Sequence, residues 1–134
     1  MPADLFQKMK GLTQDLNFTN FNLLGLKTLV FNGLVVTAAS GATPAINWGL
    51  GAKQKMTLTA NATPTFTAPS GVANLLLMLV QDATGSRTVT WPASVKWVGA
   101  AAPTLTTTAT TGTDIVTFLY DGTNYWGTYS LNFA

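Results

Sequence analysis

From residue 28 onward the chain reads as short runs of apolar and β-branched positions separated by turn residues. Met56, Leu58 and Ala60 alternate with Thr57, Thr59 and Asn61, which predicts a strand with one dry face and one wet face. Thr28 to Thr37 is apolar and β-branched, broken at Asn32-Gly33, a dipeptide suited to a tight turn or a bulge. Thr43 to Trp48 and Thr63 to Thr67 predict short strands, the second with Phe66 pointing inward. Leu75 to Val80 lacks polar alternation, so its strand is expected to be covered on both faces. Arg87 to Trp91 and Ser94 to Trp97 predict two more short strands. Ile115 to Tyr120 is apolar on both faces, and Asp121-Gly122-Thr123-Asn124 is the clearest hairpin turn. Beyond it Tyr125, Tyr129, Leu131 and Phe133 share one face, and Trp126, Thr128, Ser130 and Asn132 the other. Trp126 is therefore the aromatic most expected at the surface.

About nine strands at regular spacing predict an all-β fold, a jelly-roll-like two-sheet β-sandwich over residues 28–134. No fixed repeat period is visible, which argues against a β-helix. Residues 1–27 differ. Leu5, Met9, Leu12 and Leu16 recur at helical steps, Asp4 is placed to cap the start, and Gly11 weakens the helix by about 1 kcal/mol. Two readings are open. The segment is an N-terminal docking arm, short helix or extended, that lays Leu5, Phe6, Met9, Leu12 and Leu16 on a partner, or it is a strap packed on its own domain. Phe18 to Leu26 is Asn-rich and aromatic and suggests extended or looped chain. The Thr-rich stretch from Ala100 to Thr113 reads either as a linker or as a Thr-rich strand.

Composition sharpens this picture. Only 9% of the 134 residues are charged while 47% are hydrophobic, and the chain has no His, Cys or Glu. Ordinary soluble domains carry about 25% charged residues. A surface so thinly charged is poorly protected against association, which points to a protein that packs against copies of itself or a larger body. Without His or Cys there is no Ser–His or Cys–His pair and no thiolate or imidazole metal site. Asp114 and Asp121 flank one strand, about 23 Å apart and on opposite faces, too far for paired-carboxylate chemistry. Asp82, Asp114 and Asp121 are each expected to satisfy backbone donors at a turn or strand end. A Ca²⁺ site from loop carbonyls lacks any ligand-spacing motif. Gly49-Leu50-Gly51-Ala52-Lys53 lacks the Gly-Lys-Ser/Thr ending of a phosphate loop. The expectation is a non-enzyme with no cofactor and no metal. Lys8, Lys10, Lys27, Lys53, Lys55, Arg87 and Lys96 are scattered along the sequence, whereas nucleic-acid binding needs a dense basic stripe. No secretory signal is visible, and no apolar run approaches the roughly 20 residues that span a bilayer, so no membrane insertion is expected.

Several strings taken together resemble a known module. They are Ile46-Asn47-Trp48-Gly49, Thr57-Leu58-Thr59-Ala60-Asn61-Ala62-Thr63, Gln81 to Pro92, Ala102-Pro103-Thr104-Leu105-Thr106 and Tyr120 to Gly127. Their order over Ile46 to Phe133 resembles the C-terminal β-sandwich knob module of tailed-bacteriophage virion proteins. The resemblance implies a virion structural protein, made in the host cytoplasm, that assembles as a homotrimer. A short arm ahead of a knob suits a capsid decoration (cement) protein bound to the phage major capsid protein or another virion protein. The alternative is a tail-fibre or receptor-binding knob contacting host surface glycan through Trp126 and neighbouring loop residues. Trp126, Tyr125 and Tyr129 are candidate ligand or interface aromatics, and the chain's aromatics otherwise read as filling a sandwich core and a subunit interface.

Overall fold

The computed structural model describes residues 33–37 and 41–133. By its internal contacts the chain divides into two units, Met1–Val30 and Phe31–Ala134. The described residues all belong to the second unit, and the docking-arm residues Leu5, Phe6, Met9, Leu12 and Leu16 lie outside them.

The described residues form eight strands: β1 (Val35–Thr37), β2 (Ala45–Asn47), β3 (Lys53–Leu58), β4 (Thr65–Thr67), β5 (Ala73–Gln81), β6 (Val95–Trp97), β7 (Thr113–Tyr120) and β8 (Tyr125–Phe133). Two short 3₁₀ turns, Trp48–Leu50 and Val98–Ala100, follow β2 and β6. Six strands make one sheet in the order β1-β3-β5-β7-β8-β6, and β2 and β4 make a second. The all-β, two-sheet reading is therefore what the molecule shows. The jelly-roll detail does not describe the pairing, because jelly-roll strands are antiparallel. Here β1–β3, β3–β5, β2–β4 and β6–β8 are all parallel, and only β5–β7 and β7–β8 run antiparallel.

The parallel half has a simple origin. The chain passes back and forth between the two sheets, laying β1, β3 and β5 side by side in one and β2 and β4 in the other. Val35 pairs with Gln54, Gln54 with Leu77, and Ala45 with Thr65, so successive turns of this winding take 19, 23 and 20 residues. The unequal turns hide any repeat from the sequence. Gln54 helps fix the path between sheets. Its side chain is buried and donates from Nε2 to the carbonyls of Asn47 (2.7 Å) and Gly51 (3.0 Å), closing the turn between β2 and β3.

One face of the large sheet, the inner face, carries the core. Met56 and Leu58 of β3, Leu75, Leu77 and Leu79 of β5, and Val116 and Phe118 of β7 are all buried there, as the period of two requires. Ile46 and Phe66, from the small sheet, close over them. Phe118 is the hub. Its ring lies 5.8 Å from Phe66, 5.8 Å from Trp91, 6.0 Å from Trp97 and 6.1 Å from both Trp48 and Tyr125. Edge-to-face pairs of this kind add roughly 0.5–1.5 kcal/mol each beyond their buried area.

Three expectations change. The stretch Arg87 to Trp91 is not a strand, although Val89 makes an isolated parallel bridge to Ala62. Amide side chains take the place of a neighbouring backbone: Gln81 both accepts from Arg87 N (2.8 Å) and donates to Arg87 O (3.0 Å), and Asn61 Oδ1 accepts from Thr88 N (3.1 Å). The Thr-rich stretch is neither strand nor loose linker. Leu105 is buried, Ser86 N donates to Thr107 O (3.0 Å), and Thr110 N donates to Asp82 O (2.7 Å). Asp114 is not a local turn cap. It is a buried carboxylate whose Oδ1 accepts from Thr106 Oγ1 (2.6 Å) and Asn132 N (3.0 Å), and whose Oδ2 accepts from Thr106 N (2.8 Å). It ties the Thr-rich loop to the irregularity where β7 and β8 shift register beside it.

Candidate functional site on the outer face around Trp126

The other face of the same sheet is the outer face. Its residues alternate with the core: Leu76, Met78 and Val80 of β5 and Ile115 and Thr117 of β7 are half-buried, while Leu119 and Trp126 are 47% and 51% exposed. Leu75 to Val80 is thus sealed on its inner face and only half-covered on its outer one, where its unbroken apolar run predicts full coverage.

The tight turn before β8 places and locks the indole. Asp121 Oδ1 accepts from Thr123 N and Asn124 N, both at 2.8 Å, and Asp121 N donates to Asn124 O (3.1 Å). Gly122 takes φ 103°, a conformation that favours glycine. Asp121 Oδ2 remains and accepts from Trp126 Nε1 at 2.6 Å. The Asn124 amide first, then the Trp126 indole and the Thr123 amide, hold the Asp121 carboxyl below its ordinary value. The ring is therefore fixed at its polar edge while much of its surface faces solvent.

Strand register supplies its surroundings. Lys96, Trp126, Leu119 and Asn74 line up across β6, β8, β7 and β5. In the next row stand Thr128, Thr117, Leu76 and Lys53 across β8, β7, β5 and β3. The hydroxyls of Thr117 and Thr128 are 2.7 Å apart and hydrogen-bonded. Between the two rows runs a groove of about 290 Å³ lined by Lys53, Asn74, Leu76, Thr117, Leu119, Trp126 and Thr128. On the other side of the indole a second hollow of about 260 Å³ is lined by Lys96, Trp97, Val98, Trp126, Gly127 and Thr128. Gly127 is required there because the Trp97 ring lies on its backbone. A Cβ at 127 would come within 2.5 Å of Trp97 Cζ3.

The three candidate aromatics fall on two faces, as the alternation along β8 predicts. Trp126 stands on the outer face. Tyr125 is 3% exposed and packs at 4.6 Å on Tyr120 and 5.1 Å on Phe66, inside the core. Burial, and secondarily the nearby Tyr120, pushes the Tyr125 hydroxyl above its ordinary value. Tyr129 is half-exposed but falls on the inner-face side, edge-on to Trp97 at 6.0 Å. Lys53, Asn74, Lys96, Thr117 and Thr128 do not stand out in the sequence as a set, because only the strand order brings them beside Trp126.

The arrangement can stack a flat apolar ligand surface against an indole and offer it amide, hydroxyl and ammonium groups. Among the described residues carboxylate chemistry has no comparable centre. Asp82 is engaged by Arg87 at 2.8 Å, Asp114 is buried on the inner face, and Asp121 holds the turn. Among the described residues no three acidic groups converge.

Residues 42–125 match the family model described as "Putative phage tail fibre C-terminal domain". The chain belongs to this family. It is a phage virion structural protein with a tail-fibre-type C-terminal module. No curated protein and no solved structure matches the chain. Within the tail-fibre module the match runs from just before β2 to the first residue of β8, so it includes Lys53, Asn74, Lys96 and the Asp121 turn. Trp126 is the next residue along the strand.

Proposed function

We propose that this chain is the receptor-contacting module of a phage tail fibre, assembled as a homotrimer, and that its outer face binds saccharide on the host surface around Trp126. Its action is binding and not catalysis. The observation that carries this reading is the indole of Trp126, half-exposed between two hollows yet held at 2.6 Å by Asp121. The tether fixes the orientation of the ring and leaves much of its surface open to a ligand. An ordered aromatic loses little conformational freedom when a ligand stacks on it. The family's tail-fibre description supports the same reading. The capsid-decoration alternative depends on an arm at residues 1–27, whereas the fibre reading draws on the described surface.

Competition for adsorption tests it. Purified full-length protein is expected to block phage attachment to host cells, and Trp126→Ala, folded by circular dichroism, is expected to lose that block. Undiminished competition by the variant would reject the site. Co-sedimentation of the protein with phage heads, without any effect on adsorption, would restore the decoration reading. Sedimentation equilibrium checks the trimer.

A further inference from the structure

We propose that the saccharide bound at this face is anionic and extended, an oligosaccharide carrying carboxylate or phosphate groups that crosses the sheet over Trp126. The inference rests on the receptor-binding reading above and names the ligand class.

The distribution of charge carries it. Lys53, Lys55 and Lys96, scattered in sequence, meet on one face of the fold. Lys53 pairs with Leu76, Lys55 with Met78 and Lys96 with Trp126, all outer-face positions. These are all the lysines among the described residues. The one described arginine, Arg87, is occupied by Asp82. Of the acidic groups, Asp82 is paired with Arg87 and Asp114 is buried on the inner face; Asp121 keeps its charge beside the indole, its oxygens engaged by the turn and by Trp126 Nε1, so the ligand's anionic groups fall at the lysine-bearing strands and not over the ring. Lys96 gives one N–H to Ala93 O (2.7 Å), which leaves two for a ligand. Lys55 and Lys96 suffice for this field, whatever Lys53 contacts.

Spacing sets the ligand's length. Neighbouring strands lie about 4.8 Å apart, and β3 and β6 are four strand steps apart in the sheet. The two lysine-bearing strands are then roughly 19 Å apart, and Lys55, about 13 Å along β3 from the row of Trp126, lies about 23 Å from Lys96. A single sugar ring cannot reach both, but a chain with repeated negative groups can, stacking on Trp126 on the way. Each hollow, at about 290 and 260 Å³, is smaller than most ligand pockets (roughly 300–1,000 Å³), which suits single units of a longer chain. Nucleic acid is the weaker fit among polyanions. One indole offers no succession of stacking platforms, and few cations line the path.

An array printed with uronic-acid, sialylated, phosphorylated and neutral oligosaccharides, probed with the full chain, tests this. Binding is expected only among the acidic members, and the carboxylate and phosphate spots distinguish the two sources. Lys55→Gln with Lys96→Gln is expected to weaken it about tenfold, as is raising NaCl from about 0.05 to about 0.5 M. Trp126→Ala is expected to abolish it without changing sedimentation. Neutral spots bound as strongly, with no effect of the lysine changes, would overturn the anionic class and leave the glycan site standing. A silent array while Trp126→Ala still loses competition for host cells would mean a protein receptor, and would overturn the proposal. So would equal binding of a single-stranded oligonucleotide. If Trp126→Ala instead splits the oligomer, the face is a contact between copies, and both readings fall.

Discussion

The inner and outer faces of the large sheet are built from the same strands, yet they obey different rules. On the inner face of β5 and β7, Leu75, Leu77, Leu79, Val116 and Phe118 are sealed from solvent. One position along in each strand, Leu76, Met78, Val80, Ile115 and Thr117 remain half-buried and Leu119 projects, as does Trp126 beside it on β8. Aromatic rings on the inner face are held by other rings. The outer indole is held by a carboxylate. The contrast separates two jobs: the inner side supplies stability, and the outer side presents a fixed ring among cations and hydroxyls.

Substitutions can break this contrast in order of size. Phe118→Ala removes the ring on which five others converge, and is expected to cost about 3–5 kcal/mol, read as a lowered urea midpoint. A loss under about 1 kcal/mol would show that the inner face is not the source of stability. Asp114→Ala leaves the amides of Thr106 and Asn132 without their acceptor, at an expected cost of about 1–3 kcal/mol. Hydrogen exchange should then quicken through residues 104–113 before the rest of the sheet.

The smallest effect concerns the outer face. Because hydrogen bonds to the ionised form depress the Asp121 carboxyl, its contribution is complete above the unfolded carboxylate's value and is lost as pH falls through the lower folded value. Trp126 is therefore expected to stay ordered at neutral pH and to loosen only in acid, below the ordinary 3.8. Tryptophan fluorescence followed from about pH 7 to about pH 2 should show this step, and Asp121→Asn should remove it. A step centred above about pH 5 would mean that another group controls the ring.

The two faces are legible in the sequence, and the sheet order is not. A period of two is local, so the dry side of Met56 and Leu58, the inward Phe66 and the exposed Trp126 can be read directly. The Asp121–Asn124 turn is legible for the same reason, since a short polar side chain bonds its own backbone. Pairing is not local. Nothing in the residues of β3 says that it lies beside β1 and β5 in parallel, because turns of 19 to 23 residues with unlike side chains leave no period to detect. The path of Arg87 to Trp91 is hidden because side-chain amides of Gln81 and Asn61, outside that stretch, take the place of a partner strand. Asp114 reads as a turn residue because its partners, Thr106 and Asn132, come from the loop before β7 and from the far end of β8. The lysines near Trp126 look scattered for the same reason: separate strands, β3 and β6, deliver them.

The placement of Trp126 has a mechanical consequence. β8 is an interior strand, bonded along its length to β7 on one side and at its start to β6 on the other. A tug on the indole is therefore shared by two ladders, and the Asp121 tether passes part of it into the hairpin itself. A ring on an edge strand would peel its strand away one bond at a time. This one asks for many bonds to yield together.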